Sequence, residues 1–302
     1  MNNAELQVFR QTTLHKIENS FNDLQDSYSR FDNTPVLPEN KPYSIHKNSS
    51  SCIYLLHGFI GTPYEMSPFV NLAKNHNFDV INDLIPGHGA SAHIANQFKQ
   101  EIWTEHVGKH LDLLRSAYTK IHVIGFSTGA LLLHQYQRLN PNWQPASVSY
   151  CSPYFTSYFK SARWLQKTAK IFTNKINIQF AYDWTKYQDI RVAYLDKIHY
   201  MQDLPLDTAE QIYLMGRSEY NLKSTFNTKT PTRVFLTACD QVLNFTDSEK
   251  LIHTCYTNSE VSLFARKDKV PHHLMVPSVS KYADKIFTET IEFILKKDSE
   301  VI

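Results

Sequence analysis

The chain has 302 residues, of which 42% are hydrophobic and 20% charged, and its formal net charge is +2. This length allows one large α/β domain with an insertion, or two small domains, and the balanced charge gives no basis for expecting a nucleic-acid partner. No apolar run is long enough to span a membrane, and the N-terminus lacks a basic region followed by an apolar core, so we expect neither a transmembrane segment nor a secretory signal.

Residues 1–50 are predicted to form a helical N-terminal extension and a linker. Between residues 4 and 28 apolar side chains recur at helical spacing, which predicts an amphipathic helix. Prolines interrupt the stretch that follows, as is typical of a linker. These prolines are Pro35, Pro38 and Pro42.

Strands and helices alternate from residue 52 onward, which predicts a doubly wound, mostly parallel α/β sheet with helices on both faces. Predicted strands cover residues 52–57, 78–84, 120–126, 146–151, 232–239 and 259–264. Predicted helices cover residues 65–76, 101–118, 128–139, 246–254 and 280–296. We therefore expect a core made of residues 51–152 and 231–302, interrupted by a helical cap insertion at residues 153–230.

The sequence Gly125-Phe126-Ser127-Thr128-Gly129 lies between a predicted strand and a predicted helix. A G-x-S-x-G in this context is typical of a nucleophile elbow. Glycine is needed on both sides because the turn is too tight for side chains, and the helix start leaves backbone N–H groups free beside the serine. The pattern predicts that Ser127 is a nucleophile.

A serine nucleophile needs a histidine that takes its proton and a carboxylate that orients the histidine. In a doubly wound sheet these groups come from loops at the carboxyl ends of strands. Asp240 follows the strand 232–239, and His272 and His273 follow the strand 259–264. We favour His273 as the base, because Leu274-Met275 directly after it can anchor the loop, and His272 is the alternative.

The developing oxyanion needs two backbone N–H donors. One is expected from Thr128, the residue after the nucleophile. The other is expected from Phe59, in the loop His57-Gly58-Phe59 that follows the first predicted strand of the core.

Taken in order, these motifs resemble the α/β-hydrolase superfamily, and within it the bacterial carboxylesterase, monoacylglycerol-lipase-like and lysophospholipase-like serine hydrolases. The resemblance spans roughly residues 52–150 and 205–295. It implies Ser127 as nucleophile, Asp240 as acid, His273 as base, and Phe59 and Thr128 as oxyanion donors. The matching stretches are Leu55 to Pro63, Ile85 to Gly89, Ile124 to Gly129, Asp240 to Leu243, and His273 to Met275 before Ile286 to Thr290.

The resemblance also implies that His88 belongs to a structural turn and is not catalytic. Two parts of the chain depart from the pattern. Residues 1–50 have no recognised counterpart, and the insertion is longer and more aromatic than in compact members of this branch.

The insertion is expected to roof the active site. Its aromatic residues predict an apolar wall for an acyl chain or aryl group, and its basic residues predict an edge that attracts a phosphate or carboxylate. The alternative is that both sets only form the core and solvated surface of the cap. The aromatic set is Tyr154, Phe155, Tyr158, Phe159, Trp164, Phe172, Phe180, Tyr182 and Trp184; the basic set is Lys160, Arg163, Lys167, Lys170 and Lys175.

The predicted activity is hydrolysis of a carboxylic ester through an acyl-enzyme, without a metal or cofactor, on a small-molecule monoacylglycerol, lysophospholipid or similar single-chain ester. Alternatives are a thioesterase or acyltransferase on the same triad, and a catalytically silent binding protein. Four scattered cysteines, at positions 52, 151, 239 and 255, favour buried free thiols and hence a cytoplasmic protein. The sequence predicts no oligomeric state.

Overall fold

The computed structural model describes residues 2–31, 36–157, 173–185 and 191–300. Its centre is a seven-stranded sheet. The strands are β1 (Tyr43–Ile45), β2 (Ser51–Leu56), β3 (Asp79–Asp83), β4 (Lys120–Phe126), β5 (Ser147–Cys151), β8 (Thr232–Thr237) and β9 (Ser259–Phe264). Their order across the sheet is β1-β3-β2-β4-β5-β8-β9. Strand β1 is antiparallel to β3, and all the other neighbours are parallel.

The insertion adds a small sheet of two antiparallel strands, β6 (Lys175–Asn177) and β7 (Asp203–Pro205). The helices, in chain order, are α1 (Asn3–Tyr28), α2 (Ser67–Ala73), α3 (Ala92–Ala95), α4 (Gln100–Ala117), α5 (Thr128–Leu139), α6 (Ile178–Thr185), α7 (Arg191–Leu195), α8 (Leu206–Asn221), α9 (Phe245–Cys255) and α10 (Ala283–Ser299). None of these helices, in the described ranges, is long and apolar enough to cross a membrane.

The predicted doubly wound, mostly parallel sheet is confirmed. Side chains of β2 alternate between the two faces, so that Tyr54 and Leu56 pack under α1, α4 and α5 while Ile53 and Leu55 pack under α2 and α10. The observed strands differ from the six predicted ones by at most two residues at either end. The predicted helix 65–76 is a 3₁₀ turn, Pro63–Met66, followed by the shorter α2.

The N-terminal helix packs onto the main core. It begins with a capping box in which the Asn2 side chain accepts from the Glu5 N–H and the Glu5 carboxylate accepts from the Asn2 N–H. Arg10 Nε donates to the carbonyl of Ala117 at the end of α4, at 3.0 Å. The apolar side chains that α1 buries against the core are Leu14, Ile17, Phe21, Leu24 and Tyr28.

Strand ends on one side of the sheet lie next to one another and define the region where the site forms. Leu56 of β2 is paired with Gly125 of β4, and Phe126 of β4 with Cys151 of β5. The residues that follow these strands are therefore neighbours, although about 70 residues of chain separate the first pair.

Candidate active site

Ser127 lies on a strained turn between β4 and α5. Its backbone has φ 50° and ψ −111°, in the left-handed half of backbone space that side chains other than glycine disfavour. The flanking glycines make the turn possible: a Cβ at Gly125 would lie 2.7 Å from the backbone of Ala130, and one at Gly129 would lie 2.2 Å from the carbonyl oxygen of Leu56. The elbow geometry predicted from the pentapeptide is thus present.

His272 lies between the serine and a carboxylate. Its Nε2 is 2.9 Å from Ser127 Oγ, and its Nδ1 is 2.7 Å from Asp240 Oδ2. The other carboxylate oxygen, Asp240 Oδ1, accepts from the N–H groups of Val242 and Leu243, both at 2.8 Å. Because these three bonds hold the carboxylate, it fixes the orientation of the imidazole ring and the tautomer with hydrogen on Nδ1.

The sequence analysis favoured His273 as the base, but in the structure it is the alternative, His272, that faces Ser127. The apolar pair Leu274-Met275 is fully buried and anchors the loop, as we expected. The loop turns tightly there, however, with the Leu274 N–H donating to the His272 carbonyl at 2.8 Å. This turn directs the first histidine of the pair, and not the second, toward Ser127.

His273 is buried beside the three residues without being hydrogen-bonded to them. Its Nδ1 has no hydrogen-bond partner in the described part of the chain. Its ring packs near the rings of Phe126 and Tyr200, with centroids 5.5 and 6.0 Å away. Burial, and then the neighbouring charge of His272, hold the pKa of His273 well below its usual range, so the ring stays neutral.

Two side chains that the sequence analysis missed hold the loop of His272. Ser152 Oγ donates to the His272 carbonyl at 2.9 Å, and Thr237 Oγ1 donates to the Val270 carbonyl at 2.7 Å. Ser152 and Thr237 lie at the carboxyl ends of strands β5 and β8, and this position is the feature of the sequence from which they could have been predicted. Ser152 also has a positive φ of 42°.

The loop that follows β2 lies directly against the elbow. A Cβ at Gly58 would lie 2.6 Å from the ring of Phe126, so only glycine allows this approach. The N–H groups of Phe59 and Thr128, the two predicted oxyanion donors, have no acceptor among the described residues. The structure therefore brings the two predicted donor positions to the side of the sheet where Ser127 lies.

His57 and His88 have structural contacts in this region. The N–H of Ile85 donates to His57 Nε2 at 3.1 Å, so the neutral ring carries its hydrogen on Nδ1 and donates to the Gly58 carbonyl at 2.8 Å. Burial lowers the pKa of His57 to about 3 and that of His88 to about 4. His88 lies in a turn between Gly87 and Gly89, both with positive φ.

Glu65 is a further buried residue near the site that the sequence analysis missed. Its Oε2 accepts from the Gly58 N–H and its Oε1 from the Tyr200 hydroxyl, both at 2.9 Å. Burial raises the pKa of the Glu65 carboxyl to about 7, although both hydrogen bonds and the charge of His272 oppose the rise.

The insertion contacts the core through its described residues. Tyr154 and Phe155 are buried in the main core, which neither the predicted wall nor a separate core of the cap describes, whereas Phe180 is 63% exposed. Lys175 pairs with Asp203 at 2.6 Å. The remaining members of the two sets lie outside the described side chains: Tyr158, Phe159, Trp164, Phe172, Tyr182, Trp184, Lys160, Arg163, Lys167 and Lys170.

One cluster of side chains has the composition of a metal site. Asp83, His106 and His110 each place a potential ligand atom within 4.8 Å of the others. Asp83 Oδ1 accepts from His106 at 3.0 Å and from the Leu84 N–H at 2.7 Å, and Oδ2 accepts from His110 at 2.7 Å and from the Tyr54 hydroxyl. The carboxylate is thus fully hydrogen-bonded within the protein.

No protein-family model matches the chain, and no curated protein matches it. Solved structures do. One structure, from the metagenome-derived lipolytic enzymes LipS and LipT, has a TM-score of 0.68 at 16% identity over 86% of this chain and 99% of that one. The monoacylglycerol lipase of Paleococcus ferrophilus has a TM-score of 0.65 at 13% identity, over 85% and 98%. A soluble variant of the monoglyceride lipase of Saccharomyces cerevisiae has a TM-score of 0.61 at 12% identity, over 82% of this chain and 88% of that one. The chain has the α/β-hydrolase fold.

Proposed function

We propose that this protein is a serine hydrolase that cleaves carboxylic esters through an acyl-enzyme, with Ser127 as nucleophile, His272 as base and Asp240 as the acid that orients it. The observation that carries the proposal is the position of His272, hydrogen-bonded to Ser127 Oγ on one side and to the Asp240 carboxylate on the other. A serine with this partner is activated for attack on a carbonyl carbon.

In the proposed reaction, Ser127 Oγ attacks the ester carbonyl while His272 Nε2 takes the serine proton. The N–H groups of Phe59 and Thr128 stabilise the negative charge on the carbonyl oxygen. The C–O bond to the alcohol then breaks, and His272 returns the proton to the leaving alcohol. A water molecule, deprotonated by His272, attacks the acyl-enzyme, and the carboxylic acid leaves as Ser127 regains its proton.

The proposed substrate is a small-molecule monoacylglycerol, lysophospholipid or other single-chain ester. Two of the similar structures are named for lipases of monoacylglycerols, which supports this class. We propose residues 153–230 as the cap over the core formed by residues 51–152 and 231–302, with residues 1–50 as an extension. The four free cysteines favour a cytoplasmic location.

Thioester hydrolysis or acyl transfer on the same triad is the second candidate function, since the acyl-enzyme is common to all three reactions. A catalytically silent binding protein is the third, and the intact hydrogen bonds from Asp240 through His272 to Ser127 weigh against it. Comparing the rates at which the protein cleaves an acyl-CoA and a glycerol ester of the same acyl chain separates ester hydrolysis from the second candidate function.

Covalent labelling with a fluorophosphonate probe tests the proposal. We expect wild-type protein to be labelled and to hydrolyse p-nitrophenyl esters, and Ser127→Ala to lose both by about 10³-fold or more while it keeps the wild-type circular dichroism. Ser116→Ala is the control: it removes an exposed serine hydroxyl from α4, and this variant should still be labelled and active. Turnover of Ser127→Ala above a tenth of wild type contradicts the mechanism, and absence of labelling in wild type supports the silent binding protein.

A further inference from the structure

Residues 57–65 form the oxyanion loop, whose backbone conformation depends on contacts from side chains as well as on its own hydrogen bonds. Within the loop, the Gly61 N–H donates to the Gly58 carbonyl at 3.3 Å and the Glu65 N–H donates to the Thr62 carbonyl at 2.9 Å. Ile60 has a positive φ of 56°. A loop with a positive φ outside glycine needs further contacts to hold its conformation.

The conformation of Gly58 sets the direction of the Phe59 N–H, because this N–H shares a peptide unit with the Gly58 carbonyl. The torsions at the Gly58 Cα orient that unit relative to the preceding one, which carries the Gly58 N–H. Glycine itself restrains these torsions least of all residues. The Gly58 carbonyl is held by His57 Nδ1 at 2.8 Å, and the Gly58 N–H is held by Glu65 Oε2 at 2.9 Å. With both sides of Gly58 bonded, the next N–H, that of Phe59, has a defined direction.

The Glu65 carboxylate fills the inside of the oxyanion loop. It is buried, and a Cβ at Gly61 would lie 2.7 Å from its Oε2. Burying an ionisable carboxyl is costly unless donors satisfy it. Here the donors come from two distant parts of the chain, Gly58 in the loop and Tyr200 in the insertion.

The segment 196–202 of the insertion lies along the same loop. The Met201 N–H donates to the Ile60 carbonyl at 3.0 Å, and Thr62 Oγ1 donates to the His199 carbonyl at 3.2 Å. The buried Tyr200 between them bonds Glu65 and packs its ring near that of His273. Tyr200 therefore touches both the oxyanion loop and the loop that carries His272.

We propose that Glu65 is a positioning residue, which fixes the Phe59 N–H toward the oxyanion by holding Gly58, and that Tyr200 makes the insertion part of this arrangement. The inference rests on the proposed function, since it concerns the donor that the ester reaction uses. It predicts that the contact between the insertion and Glu65 acts on turnover and not only on substrate binding.

Three variants separate positioning from packing. Glu65→Gln keeps an acceptor for the Gly58 N–H and a donor for the Tyr200 oxygen, whereas Glu65→Leu keeps only the bulk, and Tyr200→Phe removes one hydroxyl. With p-nitrophenyl butyrate we expect kcat to fall about 10- to 100-fold in Glu65→Leu, less than the loss of an entire oxyanion donor, with KM changed less than threefold. Glu65→Gln should stay within about threefold of wild type, and Tyr200→Phe should lie between them.

Hydrogen exchange of the peptide that covers residues 57–62 gives a readout apart from activity. Exchange should be faster in Glu65→Leu and Tyr200→Phe than in wild type, and unchanged in Glu65→Gln. Glu219→Gln is the matched control: it changes another buried glutamate, which pairs with Arg138, and should leave kcat and this peptide unaffected.

The outcomes are distinct. If wild type is active and the kcat of Glu65→Leu stays within twofold of it, or if Glu65→Gln falls as far as Glu65→Leu, only this inference is overturned. If wild type neither hydrolyses esters nor reacts with a fluorophosphonate, the proposed function fails and the inference fails with it. If Glu65→Leu does not fold, Tyr200→Phe decides: a kcat and an exchange rate equal to those of wild type overturn the inference.

Discussion

The hydroxyl of Ser152 donates to the main-chain carbonyl of His272 at 2.9 Å, so the histidine is held through its backbone from the end of a neighbouring strand. The Asp240 carboxylate holds the same residue through its ring, at 2.7 Å. Together these contacts set both the position and the rotation of the imidazole relative to Ser127.

The histidine pair gives the first prediction. His272→Ala should lower kcat by about 10³-fold or more, because the serine then has no proton acceptor. His273→Ala should keep at least a tenth of the wild-type kcat, since its ring has only packing contacts in the described structure. Steady-state kinetics with p-nitrophenyl butyrate measures both. The reverse ranking would show that the two side chains exchange places in solution.

Asp240→Asn is the second prediction. The amide can still accept from the N–H groups of Val242 and Leu243, so the fold should persist. The amide NH₂ cannot accept from Nδ1, so the ring favours the wrong tautomer, and kcat should fall by up to about 10⁴-fold. Asp247→Asn, which changes an aspartate in the first turn of α9, is a control that should stay active. Wild-type turnover of Asp240→Asn would move the acid elsewhere.

Much of this arrangement was accessible from the sequence because it depends on local pattern. The six predicted strands follow from runs of buried apolar residues, and Ser127 and Asp240 follow from their positions at strand ends. The antiparallel edge strand Tyr43–Ile45 lies within the predicted linker, because three residues next to Pro42 give no periodic signal.

The remaining features depend on contacts between residues that are distant in the chain. His272 and His273 occupy one loop, and one of the contacts that hold His272 in place is a hydrogen bond from Ser152, 120 residues away. Glu65 bonds Tyr200 across 135 residues. A single sequence shows neither pairing, because each residue taken alone has the pattern of an ordinary polar position in a loop or helix.

The third prediction concerns stability and pH. Burial raises the pKa of Glu65 from 4.5 to about 7, and the groups that oppose this rise are the Gly58 N–H, the Tyr200 hydroxyl and His272. A raised pKa of an acid means that the folded state favours the protonated form. The contribution of Glu65 to the free energy of unfolding is therefore fully present below pH 4.5 and is lost as the pH rises through 7.

Denaturant unfolding of wild type and Glu65→Gln at several pH values measures this contribution. The unfolding free energy of wild type relative to the variant should fall by on the order of 3 kcal/mol between pH 4.5 and 7, and level off above. Groups that titrate alike in both proteins cancel in the difference. A difference that does not change with pH would mean that the carboxyl titrates normally in the folded protein.

The last prediction concerns the insertion. If the insertion roofs an apolar acyl site, kcat/KM should rise with acyl length up to a limit, by up to about 0.8 kcal/mol or roughly fourfold for each methylene that becomes buried. Esters of p-nitrophenol from acetyl to palmitoyl, below their micelle concentrations, give the profile. A profile that is flat, or that falls steadily from acetyl, argues against an acyl-chain role and favours short or bulky esters.

Two buried methionines of the insertion make a matched pair for this test. Met201 packs in the apolar cluster that joins the insertion to Ile60 of the oxyanion loop, whereas Met215, a residue of α8, packs in the main core. Met201→Ala should move the preferred chain length, because it enlarges the space beside the loop, while Met215→Ala should lower stability and leave the profile unchanged. Equal profiles for both variants would mean that the cluster around Met201 only holds the insertion in place and does not contact the acyl chain.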